Sequence, residues 1–213
     1  MPLYKTITVD KDTSLYIWKV EEPLLDLQNG ITLTRHCQER FDSMKSLLHQ
    51  RAFMSIRHLM AKAGYTDQDL FYDEVGKPHL HDGTHISITH SYNFTAIILS
   101  ATTEVGIDIE MQRDKILRIA AKFTPLKEYR TLANDDAVMR KLTIVWGAKE
   151  SLYKIYGTKG LSFLQHINVT DFDFEDAQTT AQISYHGRES DYKIYFTEFE
   201  GFTCVYAQKN IKP

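Results

Sequence analysis

Val105-Gly106-Ile107-Asp108-Ile109-Glu110 is the stretch on which the fold turns. Side chains of a strand point alternately to its two faces. The pattern therefore predicts a strand with Ile107 and Ile109 turned into a core and Asp108 and Glu110 together on the other face. Two carboxylates side by side repel unless a proton or cation lies between them. Hard oxygen donors at this spacing suit Mg²⁺, which commonly takes one or two carboxylates together with substrate phosphate and water. Solvated acids on a half-exposed strand fit the same pattern.

Beyond this strand, residues 114–122 and 125–133 read as helical, the second started by Thr124-Pro125, since proline suits a first helical turn. A longer helix is predicted over 137–156, closed near Gly157. On it Trp146, Glu150 and Lys154 fall at i, i+4 and i+8, on one face. Glu150 and Lys154 are then either a surface ion pair, or a further metal ligand or base beside a cation that stabilises phosphate charge. Gly157-Thr158-Lys159-Gly160-Leu161 is a flexible turn that lacks the spacing of a phosphate-binding Gly-x₄-Gly-Lys-Ser/Thr loop. Residues 165–208 alternate repeatedly and read as strands.

Toward the N-terminus, residues 3–20 predict strands through Ile7, Val9, Leu15, Ile17 and Trp18. Phe41, Met44, Leu48, Ala52, Ile56 and Leu59 recur at helical spacing and predict one helix over 38–63, ended by Gly64. Gly76-Lys77-Pro78 marks a turn. Two strands are expected at 85–89 and 95–100 around the polar link His90-Ser91-Tyr92-Asn93, and Thr102-Thr103-Glu104 turns into the acidic strand. Strands and helices mix without strict alternation, which predicts an α+β fold. A division near residue 104 gives two halves of similar size, 1–104 and 105–213.

Some cations stand where cations are unusual. His90 is either a loop histidine capping a turn or a phosphate ligand through a ring N–H. Lys77 is a solvated lysine in a turn or a second phosphate contact. Arg51 falls between Leu47 and Met44 on the helical wheel, so it snorkels, pairs, or binds an anion. Residues 31–63 hold six Lys/Arg (Arg35, Arg40, Lys45, Arg51, Arg57, Lys62) against two acids (Glu39, Asp42). The whole chain, by contrast, has 25 Lys+Arg against 28 Asp+Glu, a net −3, which argues against general nucleic-acid binding.

The 213 residues suffice for a core without disulfide or metal staples. Cys37 and Cys204 form neither a disulfide framework nor a zinc spacing, so a reducing compartment is expected. No apolar run reaches the ~20 residues of a membrane span, and residues 1–9 lack the order of a secretion signal. A soluble, cytoplasmic protein is the expectation.

In series, Gly76-Lys77-Pro78, Ser87-Ile88-Thr89-His90-Ser91, Val105-Gly106-Ile107-Asp108-Ile109-Glu110, Phe123-Thr124-Pro125 with Glu128-Tyr129, and Trp146, Lys149-Glu150-Ser151, Lys154 and Gly160-Leu161 resemble the 4′-phosphopantetheinyl transferase superfamily. Their order and spacing resemble its larger, single-chain type, over about residues 40–165. The resemblance implies two similar lobes related by a pseudo-twofold, with coenzyme A and Mg²⁺ between them. Asp108, Glu110 and Glu150 would hold the metal against the coenzyme pyrophosphate. Lys154 would neutralise or protonate the leaving 3′,5′-ADP. His90, Lys77 and Thr89 would meet phosphates, and Arg51 the 3′-phosphate region. Glu150, or a water on the metal, would take the proton of the carrier's serine. Thr89 stands where the family usually has serine, Tyr92 where it has glycine after His90-Ser91, and Gly147 where a small polar residue follows Trp146. The partner implied is an apo acyl or peptidyl carrier protein, met by a monomer. The same residues also suit a Mg²⁺-dependent nucleotide pyrophosphate hydrolase, or a non-catalytic coenzyme A-binding module.

Overall fold

Alternating β-branched strands and two long amphipathic helices assemble into an α+β fold, seen in a computed structural model that describes residues 3–125 and 134–210. The chain divides into two units between Thr102 and Thr103.

The first unit opens with β1 (Leu3–Thr8) and β2 (Thr13–Lys19), then α1 (Leu24–Gln28), α2 (Arg35–Asp42) and α3 (Leu47–Lys62). A short hairpin, β3 (Leu70–Tyr72) and β4 (Pro78–Leu80), precedes β5 (His85–Ser91) and β6 (Phe94–Ser100). The main sheet has the order β1-β2-β6-β5 and is antiparallel throughout. Strand β6 is buried along its whole length, because it is central and α3 packs on it. Ile56, Leu59 and Met60 of α3 share one core with Trp18, Ile97 and Leu99.

Strands β5 and β6 run further than the sequence predicts. Ser91 pairs with Phe94, so the link shrinks to the two-residue turn Tyr92-Asn93 with Tyr92 at φ 51°. The helix expected over 38–63 is broken. Ser43 Oγ donates to the Arg40 carbonyl at 2.6 Å, and Ser46 Oγ accepts from His49 N at 3.4 Å as the cap of α3. Serine side chains compete for backbone groups in this way, and so favour helix ends.

A buried ion pair ties α3 to the segment after it. Arg57 Nε lies 2.9 Å from Asp67 Oδ1, with side chains 2% and 0% exposed. The other guanidinium nitrogens donate to the Phe53 carbonyl and Cys37 Sγ, while Asp67 Oδ2 accepts from Thr34 N and Oγ1. Burial raises the Asp67 pKa, but the Thr34 N–H and the Arg57 charge outweigh it and hold the carboxyl below its ordinary value. A lowered folded pKa gives stability that is complete above the unfolded value, about pH 4, and lost as pH falls through the folded one. Asp67→Asn should cost about 3–5 kcal/mol at pH 7 by leaving Arg57 buried and uncompensated. Urea melts from pH 7 to 3 check this: the variant should lose less stability on acidification than the wild type.

The second unit holds β7 (Val105–Met111), α4 (Lys115–Ile119) running into a 3-10 turn (Ala120–Lys122), α5 (Asp135–Tyr156), α6 (Phe163–His166), β8 (Ile167–Val169), β9 (Gln178–Tyr185), β10 (Arg188–Phe199) and β11 (Phe202–Lys209). Its antiparallel sheet has the order β7-β11-β10-β9-β8. Helix α5 lies over β7 and β11. Asn134 caps it by accepting from Ala137 N at 2.9 Å, and Gly157 ends it at φ 65°, a left-handed conformation that glycine adopts without strain. The helix expected over 125–133, with Glu128 and Tyr129, lies outside the described residues apart from Pro125.

Among the described residues of this unit, two lysines are buried. Lys149 is wholly buried and donates to the carbonyls of Phe123, Phe163 and Ile167. Lys141, 2% exposed, donates to the Phe172 carbonyl, pairs with Asp171 at 2.7 Å, and sits over the Phe172 ring.

Candidate active site

Strand and helix periods meet at β7 and α5. Two strand residues advance about 6.6 Å and four helix residues about 6 Å. Every second residue of β7 therefore meets every fourth of α5. A Cβ at Gly106 would stand 2.0 Å from the Ser151 carbonyl oxygen, so only glycine allows this approach. At Gly147 a Cβ would lie 2.7 Å from Val205 Cγ2, with Asp108 Oδ2 at 3.9 Å. Gly147 is thus the residue that lets α5 settle against β11. Gly106, Asp108 and Glu110 share the face turned to the helix, whereas Ile107 and Ile109 are buried on the opposite face.

On that face Asp108 is 6% exposed, and Lys154 Nζ donates to its Oδ1 at 2.9 Å and to the Ile107 carbonyl at 2.7 Å. Glu110 is half-buried. Burial and the Asp108 charge raise its pKa, against the opposing pull of Arg113, Lys154 and a hydrogen bond from Trp146. Glu150 feels the same surroundings more strongly. Burial, then Asp108, then Glu110 push it up to about 7, with Lys154 alone acting against them. The strand acids and the helical glutamate thus sense one another across α5 and β7.

They are not drawn into a ligand cage. Among the described residues no group of three His, Cys, Asp or Glu side chains is placed to hold a metal ion. The cation paired with Asp108 is the Lys154 ammonium. The donor set nevertheless fits Mg²⁺. Three half-buried or buried carboxylates, two with raised proton affinity, form a partly desolvated excess of negative charge that a hard divalent ion would relieve.

Beside Glu150 is an apolar pocket of about 400 Å³, lined by Ile119, Lys122, Phe123, Trp146 and Phe163 as well as Glu150 itself. A smaller one, about 130 Å³, borders Glu110, Arg113, Ile116, Thr143 and Trp146.

The residues singled out in the first unit have surroundings of their own within that unit. Arg51 Nε donates to the Glu22 carbonyl at 2.7 Å and its Nη2 to the Val20 carbonyl at 3.1 Å. Thr89 and His90 line a cavity of about 390 Å³ with Arg40, His49, Arg57, Gly76 and Pro78. The His49 ring meets the His90 ring edge to face at 5.7 Å. Lys77 lies in the β3–β4 turn, where Asp73 Oδ1 accepts from the N–H of Val75 and of Lys77. Sequence reasoning missed Arg40 and His49 at this cavity. It named Lys149 within a motif but gave it no role, although a signal was present: Leu142, Val145, Lys149 and Leu152 form one helical stripe, otherwise apolar and all buried.

An acid cluster with a paired lysine thus lies between an antiparallel sheet and one long helix. The model of the 4′-phosphopantetheinyl transferase superfamily matches residues 104–207, and this part of the chain belongs to that superfamily. The family chemistry is transfer of a phosphopantetheine group. A search of curated proteins gave no match. Among the described residues no helix is long and apolar enough to cross a membrane.

Proposed function

We propose that this chain transfers the 4′-phosphopantetheine group of coenzyme A to a serine of an apo acyl or peptidyl carrier protein, as a single-chain enzyme of the larger type. The observation that carries the reading is the grouping of Asp108, Glu110, Glu150 and Lys154 on one face of one unit, inside the stretch matched to the superfamily.

Asp108, Glu110 and Glu150 would hold Mg²⁺, which when bound offsets charge on the coenzyme pyrophosphate. Glu150 accepts the proton of the carrier serine at its carboxylate. The serine Oγ forms a bond to the phosphorus on the pantetheine side, and that phosphorus breaks its bond to the bridging oxygen. The leaving 3′,5′-ADP carries away the bridging oxygen and its charge, which Lys154 neutralises. Lys77, Thr89, His90 and Arg51 are assigned to the phosphates of the coenzyme.

Mass spectrometry of an apo carrier protein incubated with this protein, coenzyme A and Mg²⁺ tests the reading. The expected result is covalent phosphopantetheine on the serine, with 3′,5′-ADP released only when carrier is present. Release of 3′,5′-ADP without a carrier would identify a pyrophosphate hydrolase instead. Binding of coenzyme A with no turnover on several carriers would identify a binding module.

A further inference from the structure

We propose that Lys149 is a positioning residue that fixes the walls of the apolar pocket beside Glu150. It rests on the transferase reading only for what the pocket serves, not for how the pocket is built.

An ammonium has three N–H donors and no acceptor. In Lys149 all three find main-chain carbonyls: Phe123 at 2.8 Å, Phe163 at 3.0 Å and Ile167 at 2.9 Å. The first belongs to the residue just after the 3-10 turn that follows α4, the other two to the first residue of α6 and the first residue of β8, which follows α6 directly. One atom on α5 therefore holds three residues by their carbonyls, on two stretches of chain. Two of them carry pocket walls, since the Phe123 and Phe163 side chains pack on Trp146 with centroids at 5.0 Å and 5.4 Å. Glu150, the next residue along α5, lines the same pocket.

Packing alone does not call for a cation here. Val145 and Leu152, one turn to either side, fill the same stripe with hydrocarbon and are wholly buried. Apolar contacts are non-directional, and a buried charge is costly unless it is fully hydrogen-bonded. What a saturated ammonium adds is direction, because each carbonyl must point at one atom from a fixed distance. The pocket's two phenylalanine walls are thereby referred to the helix that carries Glu150.

The test is fluorine NMR of protein labelled with 5-fluorotryptophan, whose two reporters are Trp18 and Trp146. Trp18 lies in the other unit's core and serves as the internal reference. In Lys149→Met, of similar length but without donors, the Trp146 signal should shift or broaden while Trp18 stays in place. Transfer should show kcat reduced at least about 10-fold, with KM for coenzyme A changed less than about 3-fold. Lys149→Arg keeps the charge but not the compact three-way geometry. It should fold and give an intermediate shift, so the test survives if the methionine variant does not fold. A lower melting temperature with an unmoved Trp146 signal and unchanged kcat would reduce Lys149 to a stabilising residue and overturn the proposal. If the wild-type protein transfers nothing, the functional reading fails by itself, and the Trp146 signal still decides the role of Lys149.

Discussion

Replacing Glu150 with glutamine should lower kcat for phosphopantetheine transfer by about 10²–10³-fold and leave the melting temperature equal or higher. Both halves follow from the same surroundings. The carboxyl is held among Asp108 and Glu110 in a partly buried place, so its charged form is disfavoured there. An amide of the same shape removes that repulsion without opening a cavity, and the fold loses nothing. Catalysis loses the acceptor for the serine proton, because an amide does not take it up. Single-turnover transfer and differential scanning fluorimetry on the same preparation check the two halves together. Near-normal transfer would remove Glu150 from the mechanism. A large fall in melting temperature would show that the carboxylate holds the fold in a way its acidic neighbours do not suggest. Lys154 gives a contrasting case. It is bonded to both the Ile107 carbonyl and Asp108, so its removal would disturb structure as well as charge and separate the two less cleanly.

How much of this was legible in the sequence differs from element to element. The acidic strand and the long helix were readable because their periods are strict and their ends marked: Ile107 and Ile109 alternate with the acids, and Gly157 closes the helix. The break between α2 and α3 was not, because Met44 keeps the apolar period running through it while the serines on either side end and restart the helix locally. Strands β5 and β6 extend into a stretch that reads as a polar link, since a hairpin tolerates His90 and Ser91 when their backbones pair. Among the candidate site residues, the grouping on one face was legible for Asp108 with Glu110, since strand alternation alone puts them together. That Lys154 pairs with Asp108 was not, because this contact joins residues 46 apart in the chain. Of the two readings held open for Glu150 and Lys154, the surface ion pair joined them to each other, but the lysine's partner is the strand acid. Buried cations are the hardest to see. Lys149 and Arg57 have the composition of surface residues, and only the carbonyls and the carboxylate that receive them, remote in sequence, explain their place.

The second large effect concerns a residue with no side chain. Gly106→Ala should destabilise the protein by about 3 kcal/mol or more, at or above the upper end of ordinary overpacking. The added Cβ would fall 2.0 Å from the Ser151 carbonyl oxygen and 2.8 Å from its carbonyl carbon. Both are main-chain atoms in the middle of α5, so no rotamer relieves the clash and the whole helix must lift from the strand. Gly147→Ala is the control. Its Cβ would meet Val205 Cγ2 at 2.7 Å, a side-chain methyl that small local shifts can partly relieve, and a cost of about 1–2 kcal/mol is expected. Urea denaturation should order the midpoints wild type, Gly147→Ala, Gly106→Ala. Activity should follow in the same order, because Glu150 and Lys154 ride on the displaced helix and a misplacement of about 1 Å can cost 10²-fold in rate. The Lys154 bond to the Ile107 carbonyl, 2.7 Å long, spans the very contact that Gly106 closes. If Gly106→Ala melted within about 1 kcal/mol of wild type, α5 would not lie on β7 as closely as Asp108, Glu150 and Lys154 require to act together.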